Sequence, residues 1–254
     1  MVGIDPAPAK GLNVFSREDG FSHISIVDSP AYISDLSKQK DLLICWDSPL
    51  TGPANGAWPK NSIRQGDLTQ RELERFFSRT EYSYRTPRGI SVRGYSGCPH
   101  WTISQYLLGL PVINDAFRDS KDLPFKLSDA RLTINTKGRF VAEVHPAVAL
   151  WLWLRDDQDI HDWQYKNDKL AFQALRKKIC EVPLIVRYLD FAKFRTPESD
   201  DELDCLLAYL LGVIWISETN SVFQLGDSTT GSFLVPYSQT IVSEWGRFRR
   251  RRKA

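Results

Sequence analysis

Ser199-Asp200-Asp201-Glu202-Leu203-Asp204 runs without a break into the apolar stretch Cys205 to Ile216. Ser199 with Glu202 three residues on is a capping-box pattern, and the leucines at 203, 206, 207 and 210 keep helical spacing. The spacing therefore predicts a helix that starts here and enters the interior. Asp201 and Asp204 then lie one turn apart on one face. For Asp200, Asp201 and Glu202, first-turn carboxylates that favour the helix dipole and face water are an equally good account. Asp204 fits that account less well. Its next-turn neighbours are Leu207 and Ala208, and an ionised group entering an apolar layer needs a partner or a cation.

Strand-like segments elsewhere supply acids to face this helix. Met1 to Asp5 breaks at Pro6, Leu42 to Asp47 breaks at Pro49, and Arg139 to Glu143 breaks at Pro146. Each reads as a buried strand that delivers an acid near its end. In open α/β sheets, ligands sit beyond the carboxyl ends of strands, and acids gathered there make a hard-oxygen site suited to Mg²⁺ or Mn²⁺. One such strand means little, because Asp is common where turns begin. Three of them plus an acid-bearing helix make a pattern.

The 254 residues, 42% hydrophobic and 25% charged, have ordinary globular composition and suit one elaborated domain or two small ones. A net charge of +2 conceals an asymmetry, since Arg247, Arg249, Arg250, Arg251, Arg252 and Lys253 crowd a basic tail over 241–254. That tail suits either a phosphate-seeking arm or a solubilising end. The cysteines at 45, 98, 180 and 205 form no C-x-x-C pair, which argues against a zinc ribbon or thioredoxin motif and for reduced core thiols. No basic-then-apolar leader is present, and the longest apolar run falls short of the roughly 20 residues needed to span a bilayer. The expectation is a soluble, cytoplasmic protein with no membrane partner.

In chain order, strands over 2–5, 11–15 and 23–27 form a meander, a short helix follows over 33–40, and the strand 42–47 completes an α/β order with a mixed sheet. Residues 48–138 read as an elaborated insertion where substrate selection would reside, with a helix over 68–79. Its glycine-rich stretch Arg88 to Pro99 matches neither a P-loop nor a dinucleotide fingerprint, so a phosphate cradle and a plain loop both stand. A hairpin over 132–144, a helix over 146–154, a basic amphipathic helix over 165–180 and a helix over 184–194 come next. The basic face, with Lys166, Lys169, Arg176, Lys177 and Lys178, suits either solvation or nucleic-acid contact.

Six motifs succeed one another along the chain. They are Gly3-Ile4-Asp5, Trp46-Asp47-Ser48-Pro49-Leu50, Arg64 with Asp67 and Arg71, Glu143-Val144-His145-Pro146-Ala147, Asp201-Glu202-Leu203-Asp204-Cys205, and Gly226-Asp227 through Gly231 to Pro236. Their order resembles the DUF429 family, described as predicted nucleases with the ribonuclease H-like fold, over about residues 1 to 236. The chain departs from that pattern in lacking a glycine between Lys169 and Arg176 and in placing Cys205 where alanine usually stands.

The resemblance implies a ribonuclease H-like domain over 1–240, with a three-strand meander followed by strands with crossover helices. It implies Asp5, Asp47, Asp201 and Asp204 as catalytic residues and ligands of Mg²⁺ or Mn²⁺, and Glu143 as a further catalytic residue. The reaction would be two-metal hydrolysis of phosphodiester bonds in nucleic acid, DNA or RNA. Arg64, Arg71, Arg93, Lys169 and Arg176 would bind substrate. His145 would orient a carboxylate or water, or satisfy a turn. Two other readings remain open: an inactive nucleic-acid-binding or interaction module of this fold, and an actin/hexokinase-like ATP-using protein, for which Pro6-Ala7-Pro8-Ala9 makes a poor phosphate loop.

Overall fold

The apolar runs that end in acids are neighbouring strands of one sheet. The computed structural model describes residues 1–7, 9–50, 71–77, 86–90, 92, 104, 107–108, 124–128, 131–227 and 231–253. Strands β1 (Val2–Ala7), β2 (Gly11–Ser16) and β3 (Gly20–Ser25) form an antiparallel meander. Helix α1 (Ser29–Leu36) then carries the chain to β4 (Leu42–Trp46), and β5 (Lys126–Leu127) and β6 (Arg139–Glu143) complete the order β3-β2-β1-β4-β6-β5. Because β1, β4, β6 and β5 run parallel, the carboxyl ends of β1, β4 and β6 reach one rim. The sheet is therefore mixed and flanked by helices. The chain continues through α2 (Glu72–Phe77), α3 (Pro146–Leu154), α4 (Lys169–Ile179), α5 (Pro183–Val186), α6 (Asp200–Ser217), the hairpin β7 (Val222–Asp227) and β8 (Gly231–Pro236), and α7 (Gln239–Lys253).

Helix α6 is apolar all round, and every residue from Leu203 to Gly212 is buried, as expected of a helix inside the core. Its cap is one-sided. Ser199 Oγ accepts from Glu202 N at 3.2 Å, while the Glu202 carboxylate turns back to accept from Glu198 N at 2.7 Å and from Arg195. Two glycines let α6 lie close against the sheet. A Cβ on Gly3 would stand 2.2 Å from Cys205 O and 2.3 Å from Tyr209 N, and one on Gly212 would stand 2.3 Å from Cys45 Sγ. The Gly3 contact is with helix backbone, which cannot step aside. Gly3→Ala is expected to destabilise the fold by at least the roughly 1–3 kcal/mol typical of overpacking, read as a lower urea midpoint with an unchanged denaturant slope. An unchanged midpoint would show that α6 does not sit this close to β1.

Strand alternation decides what each face carries. Gly3 meets α6, so Asp5, two residues on, shares that face; Cys45 meets α6 as well, and Asp47 keeps its parity. Ile4, Ile44, Trp46 and Val141 point the other way, onto Ile33 and Leu36 of α1. Glu143 has the parity of Val141 and pairs in register with Trp46, so it leaves the sheet on the face away from α6.

Several boundaries differ from those the sequence suggests. Residues 131–138 form turns rather than the first strand of a hairpin, and the short β5 instead runs parallel to β6. Asp168 caps α4, its Oδ1 accepting from Leu170 N at 2.7 Å and Ala171 N at 2.9 Å, so this helix begins at Lys169 and leaves Tyr165 and Lys166 outside it. The helix expected over 184–194 is the single turn α5. The hairpin β7–β8 forms a second sheet that touches the main one at Val144 and Leu234. The basic C-terminal stretch lies on α7, which buries Ile241, Trp245 and Phe248, while Arg249 reaches Asp227 at 3.0 Å. Among the described residues, no helix is long and apolar enough to cross a membrane.

Candidate functional site

Parallel strands lie about 4.8 Å apart, so acids at equivalent ends of β1 and β4 become neighbours. Asp47 N donates to Ile4 O at 2.9 Å, which sets Asp47 beside Asp5 at the rim. Asp204 arrives from above on α6 and is wholly buried; Asp5 is 9% exposed. Tyr165 and Lys166, just before α4, take up both oxygens of Asp204. The Tyr165 hydroxyl donates to Oδ1 at 2.7 Å, and Lys166 Nζ stands 2.6 Å from Oδ2, an ion pair whose angle misses hydrogen-bond geometry. A cavity of about 740 Å³ opens at this rim, walled by Asp5, Asp47, Glu143, Lys166, Asp200 and Asp201.

Charge is badly balanced here. Burial pushes the Asp5 carboxyl up to about 8, the charge of Asp204 adds to the rise, and Lys166 opposes it. Asp47 is raised well above the ordinary carboxylate range, first by its enclosure and then by Asp204 and Asp5. Asp204 is raised by burial too, but Lys166 and Tyr165 hold it down. Among the described residues no hydrogen bond reaches the side chain of Asp5 or Asp47. Asp201 lies at the mouth, 3.8 Å from exposed Lys10.

Glu143 belongs to a separate network on the other face. Its Oε2 accepts from Leu50 N at 2.9 Å and Arg71 Nη1 at 2.7 Å, and its Oε1 accepts from Arg71 Nη2 at 2.5 Å. Arg71 also donates from Nε to Glu74 Oε1 at 2.7 Å, and Glu74 Oε2 accepts from Arg71 N at 2.7 Å. All three side chains are buried. Burial raises Glu143, and Arg71 opposes the rise.

No family model, curated protein or solved structure matches this chain. The site therefore rests on its own geometry. Of the acids singled out by the sequence, the structure gathers Asp5, Asp47 and Asp204, places Asp201 at the mouth, and commits Glu143 to Arg71. Arg71 lines the cavity but spends its fork on two carboxylates. Lys169 and Arg176 line an adjoining groove, where Arg176 Nη1 donates to Pro197 O at 3.2 Å. His145 packs against the Phe233 ring, centroids 5.5 Å apart. Arg64, Arg93 and most of the 48–138 insertion lie outside the described residues. Sequence reasoning missed Tyr165, Lys166 and Glu74 as site residues.

Among the described residues, no three His, Cys, Asp or Glu side chains are gathered in metal-binding geometry. The donor chemistry of Asp5 and Asp47 nonetheless suits a hard cation. They are adjacent carboxylates that repel one another and accept no hydrogen bond among the described residues. Mg²⁺ is commonly held by one or two carboxylates, the remainder of its shell being waters and substrate phosphate.

Proposed function

We propose that the chain is a divalent-metal-dependent nuclease that hydrolyses phosphodiester bonds of nucleic acid at the rim of a ribonuclease H-like sheet. The observation that supports this reading is the meeting of Asp5 and Asp47, at the ends of β1 and β4, in the wall of one cavity, with Asp204 of α6 buried close behind them. Asp5 and Asp47 would hold Mg²⁺ or Mn²⁺. Such an ion supplies Lewis-acid polarisation of the phosphate and activation of water. The chain's own side chains do the rest. Asp204, gripped by Tyr165, fixes the Lys166 ammonium at the cavity wall, where it attracts an anionic phosphodiester. Lys166 also borders a groove of about 590 Å³ in which Lys169 and Arg176 stand among Asp168, Glu198 and Asp200, and these two cations could meet the phosphates of a bound strand.

Purified protein incubated with single-stranded, duplex and hybrid substrates in Mg²⁺ or Mn²⁺ tests this reading. Cleavage is expected, and Asp5→Asn or Asp47→Asn should lower it by more than the roughly 10–100-fold seen when only an outer partner of a metal ligand is lost. A rate that survives both substitutions together would end the proposal.

The basic helix α7 favours a second reading, an inactive nucleic-acid-binding module. Deleting the end of α7 would strip buried Phe248 from the core, so the fair test is charge reversal at exposed Arg250. Binding that persists in EDTA, weakens in Arg250→Glu and never yields product would favour the module.

A further inference from the structure

Asp204 is the acid that lies deepest in this site, and each of its oxygens already faces a partner, Oδ1 through a hydrogen bond and Oδ2 through an ion pair. Tyr165 and Lys166, adjacent in sequence, clamp its two oxygens at 2.7 Å and 2.6 Å, and the residue is wholly buried. Helix α4 holds the pair in place, because Asp168 caps it and Phe172, Leu175 and Ile179 anchor it in the core. Asp5 and Asp47, by contrast, accept no hydrogen bond among the described residues. The charge of Lys166 reaches both of them as well as Asp204. Among the innermost groups, three carboxylates, one ammonium and one divalent ion come to neutrality, while Asp200 and Asp201 stand half-buried at the mouth, Asp201 beside Lys10. A second divalent ion beside the same ammonium would leave a buried excess of two positive charges, which a low-dielectric site opposes strongly.

We infer that Lys166 is a built-in cation of the carboxylate site: its ammonium stands where Asp204 would otherwise hold a second ion, so the site binds a single divalent metal, on Asp5 and Asp47. This rests on the metal-dependent reading above and replaces two ions with one ion and a tethered ammonium. It also assigns Asp204 a role, which is to station that ammonium beside the position of the phosphodiester. The Lys166 side chain is 48% exposed and lines the cavity, so substrate can approach it without the core opening.

The test is Mn²⁺ binding to the full chain, with unbound Mn²⁺ counted by electron paramagnetic resonance and no substrate present. Wild type is expected to bind one Mn²⁺, Lys166→Met two, and Lys166→Arg one, because arginine keeps the charge. Asp5→Asn combined with Asp47→Asn should abolish the wild-type ion. Should Lys166→Met unfold because it leaves Asp204 unpaired, Lys166→Gln removes the charge while keeping a hydrogen-bond donor, and it should also bind two. Two ions in wild type, or one in the folded neutral variants, overturns the inference and leaves the nuclease reading standing. No ion in any of these proteins overturns both.

Discussion

Arg71→Ala should lose about 3–5 kcal/mol of stability, the penalty typical of removing one partner from a buried ion pair. Arg71 is 2% exposed and joins Glu74, at the start of α2, to Glu143, at the end of β6. Without it, two buried carboxylates face each other across a space with no cation between them, and the Glu143 bond to Leu50 N is a small compensation. The loss should also depend on pH. Glu143 already sits above its ordinary value despite Arg71, so removing Arg71 raises it further. A carboxyl raised in the folded state contributes stability below its unfolded pKa and loses it as pH rises. The deficit of Arg71→Ala should therefore be largest at neutral pH and narrow toward pH 4. Arg71→Lys should recover little, because a point charge cannot donate in two directions from a planar fork. Gly231 shows how closely the fork is fitted: its φ is +79°, and a Cβ there would lie 2.5 Å from Arg71 Cδ. Urea midpoints at pH 7 and pH 4 measure the effect, and a deficit under about 1 kcal/mol at pH 7 would mean the network is worth no more than a surface pair.

Helix α6 was readable because Ser199 and the leucine spacing announce it locally, and Asp5 and Asp47 were readable because each ends an apolar run. Their convergence comes from parallel strands sharing a rim. Glu143 shows where that reasoning runs short. Its position was legible, but the face it takes depends on counting two-residue alternation from Val141, and one step of register separates it from the α6 side. In the sequence, Lys166 looks like one charge on a basic helix. Asp168 was the available signal, since a helix capped there starts at Lys169 and frees Tyr165 and Lys166 to turn inward. Their target, Asp204, is 39 residues from Tyr165, and no local pattern encodes a contact of that range. The hairpin β7–β8 was likewise within reach, since Val222 and Leu225 on one strand and Phe233 and Val235 on the other mark an apolar pair around a glycine turn.

The carboxylate rim should behave in the opposite way to Arg71, so that removing a charge strengthens the fold. Asp5→Asn is expected to be more stable than wild type at pH 8 in EDTA. The folded-state carboxyl is raised from 3.8 to about 8, chiefly by burial and then by Asp204. A tenfold change in proton affinity corresponds to about 1.4 kcal/mol, which caps the gain at about 6 kcal/mol before the site relaxes. The sign is again that of a raised acid: the stability Asp5 contributes is present below the unfolded value of 3.8 and drains away as pH climbs toward 8. Asparagine does not titrate, so the advantage of the variant should be small at pH 4 and grow steadily to pH 8. Mn²⁺ should invert the comparison. An ion that binds the folded state stabilises it by mass action, about 2.7 kcal/mol at roughly a hundred times its Kd, and wild type would gain this while Asp5→Asn would not. Melting curves at pH 4 and pH 8, each with and without Mn²⁺, measure both effects. A variant no more stable than wild type at pH 8 in EDTA would mean that Asp5 is solvated or already paired, and the electrostatic case for a cation at this rim would go with it. A wild type that melts at the same temperature with and without Mn²⁺ would instead leave the strain real but unrelieved by metal. A destabilised, functional cluster that a ligand repairs is the usual form of the trade between stability and activity.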